Sequence, residues 1–234
     1  MDNVLLRTFG YSYLRFTRPR TVSDRLEFIR EYFPGGDVLD VGCGSAGSYF
    51  ALAERGRGLR RYLGVDIDVD RLSRRIPRAE FRQVDLRRAD EIGLGQFDVV
   101  LCLEVIEHLI DHEQVMRLIA RSCRPGGMHL LSTPSVDFVD HFKMLFPQQF
   151  ITTVVEDGGH VRDGYSEQGL RDLLVRSGFE VERFLGVSRF DEHSLRGYLS
   201  LKDRRAQVLY NLRHRRQGAG RVWSHAVVAK RVLN

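Results

Sequence analysis

The run Val38-Leu39-Asp40-Val41-Gly42-Cys43-Gly44-Ser45-Ala46-Gly47 constrains this chain more than any other part of it. Its first residues are apolar and few enough for a buried strand, glycines follow, and the residues beyond them have a helical pattern. Glycine reaches backbone conformations closed to other residues and lets main chain approach a ligand where side chains would block it. A strand that turns through glycines into a helix also presents unpaired N–H groups, so the segment reads as a binding loop for a small cofactor. Gly42, Gly44 and Gly47 satisfy G-x-G-x-x-G, the dinucleotide fingerprint, whose partner is an acidic residue about 20 positions on. Asp66 supplies that partner. Asp40 argues for another ligand, because a carboxylate just before the first glycine repels a pyrophosphate and suits an ammonium group.

The rest of the chain repeats the alternation of short apolar runs and amphipathic stretches. Strands are expected at Asp37–Val41, Tyr62–Asp66, Glu80–Val84, Phe97–Leu103 and Met128–Ser132, and helices at Ser45–Arg55, Val69–Arg75 and Glu113–Cys123. The last of these stops at Arg124-Pro125-Gly126-Gly127. This order predicts βαβ units and a mainly parallel sheet, an α/β architecture that 234 residues fill as one domain. Residues 1–33 are expected to form an N-terminal helical cap, with Tyr11, Tyr13 and Phe16 over the site. Residues 134–163, rich in aromatics and without clear period, are expected to form a lid or substrate loop. Ser166 then caps a helix carrying Leu170, Leu173, Leu174 and Val175. A strand at Phe179–Leu185, a basic helical insertion within 186–220 and a last strand at Val222–Lys230 complete the chain, the two late strands forming an antiparallel edge pair.

The net charge of +5 favours an anionic partner, although arginines such as Arg204, Arg205, Arg213, Arg215 and Arg216 read first as a solvated helix face. Cys43, Cys102 and Cys123 lack C-x-x-C spacing, which points away from a disulfide framework or zinc site and toward a reducing cytoplasm. The longest apolar stretch, Phe97 to Ile110, is broken by Asp98, Glu104, Glu107 and His108, so neither a signal peptide nor a membrane span is expected.

Several motifs in order resemble the class I, Rossmann-like S-adenosylmethionine-dependent methyltransferases. Val38 to Gly47 is similar to the family's first motif, and Gly64-Val65-Asp66-Ile67-Asp68 to its second strand. Asp85 after Phe81-Arg82-Gln83-Val84 matches the acidic position near the adenine amine. Phe97 to Leu109 is similar to the fourth strand and its turn, and Cys123-Arg124-Pro125-Gly126-Gly127 approximates Leu-x-Pro-Gly-Gly. The resemblance implies a three-layer, seven-stranded, mostly parallel sheet of order 3-2-1-4-5-7-6 with the last strand antiparallel. It implies S-adenosylmethionine as cofactor, held by Asp40, Gly42, Gly44, Gly47, Asp66, Ile67, Asp85, Leu86, Leu103 and Glu104, with Asp66 on both ribose hydroxyls. Ubiquinone-pathway and natural-product O-methyltransferases are the members most resembled, which implies a small-molecule acceptor.

Methyl transfer is an in-line displacement, so a protonated nucleophile needs a positioned base. His108 and His160 are the candidates, with His141 a third. Glu104 and His108 stand at i and i+4, and with Glu107 and His160 they resemble the metal site of small-RNA 2′-O-methyltransferases. Yet Glu-x-x-Glu-His after the fourth strand, like His160-Val161-Arg162 before Tyr165-Ser166, also resembles metal-free small-molecule enzymes. A metal-dependent RNA-end methyltransferase, a cofactor-binding regulatory subunit and a dehydrogenase stay open as alternatives. The residues leave the acceptor and the oligomeric state open.

Overall fold

A computed structural model of the chain describes residues 21–54, 58–70, 72, 76–136, 161–190 and 221–232. In chain order these hold α1 (Thr21–Tyr32), β1 (Gly36–Val41), α2 (Gly47–Ala53), β2 (Leu59–Asp66), β3 (Glu80–Gln83), β4 (Phe97–Leu103), α3 (His112–Ser122), β5 (Cys123–Pro134), α4 (Glu167–Arg176), β6 (Phe179–Phe190) and β7 (Arg221–Arg231). The seven strands form one sheet of order β3-β2-β1-β4-β5-β7-β6, as the resemblance implied. β1 pairs in parallel with β2 and β4, β2 with β3, and β4 with β5, whereas β7 runs antiparallel to both β5 and β6.

Parallel strands covered on both faces are apolar at successive positions, and here each parity has its own layer. Leu39, Val41, Val100, Cys102 and Leu131 pack with Val115, Met116, Leu118 and Ile119 of α3 and Leu170, Leu173 and Leu174 of α4. Val38, Val99, Leu101 and Leu130 face Phe28 and Ile29 of α1 and Ala51 and Leu52 of α2. The same parity sends Asp40 toward the α1–α2 side.

The boundaries differ from expectation where backbone chemistry intervenes. α2 starts at Gly47 rather than Ser45, because Ala46 sits in the left-handed region at φ 60° and offers no side-chain cap. α3 starts at His112, where the Asp111 side chain accepts from Gln114 N at 3.1 Å. β5 begins directly at that helix's end: Cys123 pairs with Phe97 and Met128 with Val99, so Arg124 to Gly127 bulge from the strand. β6 runs on to Phe190, so residues 186–190, expected in the helical insertion, belong to the strand. The expected helix Val69–Arg75 shows turn bonds from Leu72 N to Val69 O and from Ile76 N to Leu72 O, with much of its middle outside the described residues. Also outside lie Tyr11, Tyr13 and Phe16, residues 137–160 of the lid with His141 and His160, and the arginine-rich insertion. Among the described residues no helix is long and apolar enough to cross a membrane.

Candidate functional site

Because β1, β2 and β4 are parallel neighbours, their carboxyl ends open on one edge, where open α/β sheets bind ligands. Gly42 and Gly44 both turn through the left-handed region, at φ 73° and 52°. They differ in what surrounds them. A Cβ on Gly42 would lie 2.3 Å from Val105 Cγ2, so the missing side chain makes room for Val105. At Gly44 a Cβ would meet nothing within 4 Å, and the position is exposed. Gly42 N and Cys43 N both donate to Val65 O, at 2.8 and 3.0 Å. Asp66 fastens the two loops, accepting from Gly44 N at 2.8 Å and from Ile67 N at 2.7 Å. Each carboxylate oxygen keeps a lone-pair direction for a further donor. Ile67 is 56% exposed, an apolar side chain beside this carboxylate.

Asp40 lies beneath the loop, 1% exposed, not beside an open surface as expected for a carboxylate next to a ligand. Tyr62 Oη donates to its Oδ2 at 2.5 Å and Ser48 of α2 adds a second hydrogen bond. Burial raises its pKa to about 6 against the opposing effect of these bonds. Tyr62 was missed in the sequence because it lies 22 positions from Asp40 and meets it only through strand register, and Ser48, although it adjoins the motif, because nothing local shows that its hydroxyl turns back to Asp40. Asp85 caps the 3-10 turn Leu86–Glu91 and pairs with Arg87 at 2.7 Å, which with the cap bond holds its pKa below the ordinary value. Leu86 is buried beside it, and Gly47 opens α2.

Beyond Leu103 at the end of β4, Glu104 adopts φ 57°. A non-glycine residue there carries about 1–2 kcal/mol of steric cost. Two bonds to Ser132 hold it: Glu104 N to Ser132 O at 2.8 Å and Ser132 Oγ to Glu104 Oε1 at 2.9 Å. Ser224 Oγ of β7 donates to Oε2 at 3.4 Å, and Arg25 of α1 approaches the same oxygen at 3.5 Å. Glu107 is fully buried, with Oε2 accepting from Thr133 Oγ1 at 3.1 Å and Oε1 lacking a hydrogen-bond partner. His108 stands 32% exposed on the same turn, its Nε2 3.9 Å from that oxygen.

Thus Glu104 turns toward the serines of β5 and β7 while Glu107 points inward. Among the described residues no three His, Cys, Asp or Glu side chains form a group able to hold a metal ion. Glu104, Glu107 and His108 do not form such a group among themselves, and His160, the fourth member of that alternative, lies outside the described residues. One consequence is measurable. Burial, and then the charge of Glu104, lift Glu107 from 4.5 to about 8, so the folded state binds this proton more tightly than the unfolded chain. Its contribution to stability is full below pH 4.5 and is lost as pH rises through about 8. Thermal midpoints measured from pH 5 to 9 should fall less steeply in Glu107→Gln than in the parent chain, and parallel curves would refute this.

The segment after residue 160 returns onto this turn. Val161 N and Arg162 N donate to Glu107 O at 3.0 and 3.3 Å, and Ser135 bridges Tyr165 beside the end of β5. Arg162 was visible only as part of a resembled loop, and besides Tyr165 its side-chain partners, His112, Leu109 and Ile110, lie 50 or more positions away. A separate depression lined by Phe33, Gly36, Gly58, Arg60 and Asp98 opens at the amino ends of the strands, away from all these groups.

With this geometry in place, comparison with known proteins identifies its relatives. The family described as Methyltransferase domain matches residues 13–183. A Pseudomonas aeruginosa protein named ubiquinone biosynthesis O-methyltransferase is 30% identical over 162 residues, 66% of this chain and 68% of its own length. A Mycolicibacterium smegmatis protein named "Probable S-adenosylmethionine-dependent methyltransferase" is 34% identical over 157 residues, 65% of this chain and 55% of its own. The crystal structure of an S-adenosylmethionine-dependent methyltransferase from Methanosarcina mazei superposes with a TM-score of 0.57 at 18% identity, covering 88% of this chain and 97% of that one, which shows a common fold. The strand order, the glycine loop tied to Asp66 and the match over residues 13–183 together establish that this chain belongs to the S-adenosylmethionine-dependent methyltransferases.

Proposed function

We propose that the chain methylates a hydroxyl group of a small-molecule acceptor and that His108 takes the hydroxyl proton. One observation carries the reading: of the described histidines, His108 is the imidazole presented at the carboxyl edge of the sheet, on the turn whose Val105 packs against the glycine loop. The others are engaged elsewhere. His112 Nδ1 meets Arg162, His129 is fully buried on Val100 O with its pKa lowered to about 4 by burial, and His225 Nε2 meets Tyr165 O at 2.9 Å. The name of the Pseudomonas relative supports oxygen as the acceptor atom.

Asp66 is assigned to the ribose hydroxyls, Ile67 and Leu86 to the faces of the adenine ring, and Asp85 to its amine in place of Arg87. Gly44 is assigned to close main-chain approach, and Asp40 to the amino-acid end from beneath, with Gly42 and Gly47 shaping the loop and Leu103 and Glu104 closing the far side. S-adenosylmethionine supplies an electrophilic methyl group on a sulfonium. Held there, it would donate that methyl to the acceptor oxygen with S-adenosylhomocysteine as the leaving group, and His108 would take the hydroxyl proton and pass it to solvent. A neutral imidazole suits that transfer near pH 7. The net charge of +5 supports an anionic acceptor. The divergence of Glu104 from Glu107 supports a metal-free small-molecule reaction over an RNA one.

The test is methyl transfer from labelled cofactor to phenols, catechols and their carboxylated analogues. His108→Gln should lower kcat by about 100-fold while S-adenosylhomocysteine binds as before. Undiminished transfer by that variant would remove His108 from the mechanism, and transfer confined to RNA would overturn the acceptor class.

A further inference from the structure

The turn that presents His108 cannot satisfy its own main chain. Its 3-10 stretch, Ile106–His108, is three residues long, and His108 N donates to Val105 O at 3.0 Å. The carbonyls that follow find partners elsewhere: those of buried Ile106 and Glu107 would be costly to leave unpaired, and those of half-buried Leu109 and exposed Ile110 are held as well. Those partners come from residues 161–165. Ile106 O accepts from Tyr165 Oη at 3.5 Å, and Glu107 O from the amides of Val161 and Arg162. Leu109 O and Ile110 O both accept from Arg162 Nη2 at 2.8 Å. Arg162 Nη1 in turn donates to Tyr165 Oη at 2.7 Å and meets His112 Nδ1.

The donor is itself anchored. Tyr165 N donates to Pro134 O at 2.9 Å, and its carbonyl accepts from Val136 N at 3.1 Å and meets His225 Nε2 at 2.9 Å. Gly164 presses so closely that a Cβ there would lie 2.4 Å from Pro134 O. One guanidinium therefore bridges a rigid seat on β5 and β7 to two successive carbonyls just beyond His108. A planar fork with five donors can do this, while an ammonium can act only as a single point.

We propose that Arg162 is a positioning residue: by clamping Leu109 O and Ile110 O to Tyr165, it holds the turn in the geometry that aims His108. The proposal rests on the assignment of His108 to proton transfer, and it differs from a purely stabilising role in what it predicts for the imidazole.

The experiment uses the full chain labelled at histidine Cε1, with the His108 resonance identified by its loss in His108→Ala. In Arg162→Lys that resonance should move and titrate at a different midpoint, while affinity for S-adenosylhomocysteine stays within about twofold. Acceptor turnover by the same variant should fall by about ten- to a hundredfold in kcat, the scale expected of a misplaced group. Tyr165→Phe, which removes the hydroxyl shared by Arg162 Nη1 and Ile106 O, should shift the resonance in the same direction by less, and Arg162→Gln, which leaves the Tyr165–Ile106 bond in place, carries the test if Arg162→Lys does not fold. A His108 resonance and titration unchanged in a folded variant would overturn the proposal. Unchanged turnover in His108→Gln would instead overturn the base assignment and leave the clamp to be judged by the resonance alone.

Discussion

Asp66→Ala should weaken binding of S-adenosylhomocysteine by about a hundredfold or more, the largest effect on ligand affinity that any single side chain here is expected to produce. Hydrogen bonds to a charged group contribute about 1.5–3 kcal/mol each, and two ribose hydroxyls on one carboxylate make about 3–4 kcal/mol a moderate figure. Each tenfold change in affinity corresponds to about 1.4 kcal/mol. The substitution also releases Gly44 N and Ile67 N, which Asp66 holds at 2.8 and 2.7 Å, so the glycine loop loses its tie to β2. Asp66→Asn is not a mild alternative, because one amide nitrogen would then face a main-chain N–H. Calorimetric titration of both variants measures the loss. Affinity preserved in Asp66→Ala would mean that the carboxylate serves only the loop, and the cofactor assignment at this position would fail.

Gly42→Ala should lower the thermal midpoint by about 5–15 °C, the largest stability effect expected at the site. Two independent costs combine. At φ 73° an alanine sits in a conformation that penalises L-residues by about 1–2 kcal/mol. Its Cβ would also fall 2.3 Å from Val105 Cγ2, and overpacking of that kind costs about 1–3 kcal/mol. For domains of about 150–250 residues each kcal/mol moves the midpoint by about 2–4 °C. The two terms separate in a double-mutant cycle. Val105→Ala alone opens a void, but combined with Gly42→Ala it removes the clash, so the pair should be more stable than the sum of the singles. Simple additivity would show that Val105 yields without cost. Val105 also begins the turn that carries His108, so Gly42→Ala should disturb that turn as well.

The contrast between Asp66 and Asp40 shows how far the residues could be read in advance. Asp66 ends an apolar run, and in a parallel sheet the end of a strand lies on the ligand edge, so its location follows from pattern alone. Asp40 sits in the same loop motif, yet strand parity turns it under the loop toward Tyr62 and Ser48. Which face a β1 residue takes is decided by the layers on either side of the sheet. Asp85 shows the same limit in another form: its strand-end position was legible, but Arg87 two residues on occupies it as an ion pair and cap. The trio Glu104, Glu107 and His108 was legible as a cluster, but the directions its side chains take were not. A left-handed Glu104 and a 3-10 turn replace the helical spacing that would have brought the three donors together.

By itself the amino-acid sequence determined the α/β class, the parallel core with its glycine loop, the position of Asp66 and the cofactor these imply. Those features are local: hydrophobic period, turn chemistry and strand-to-helix order act over a few residues and need no distant partner. The tertiary structure alone decided that Gly42 yields space to Val105, that Glu107 is buried with one oxygen that accepts no hydrogen bond among the described residues, and that Arg162 bonds to Leu109 O from more than 50 positions away. Each of these depends on which segments a folded sheet brings into contact. Contacts of that range are set by packing of whole layers, for which no short stretch of residues carries a signal.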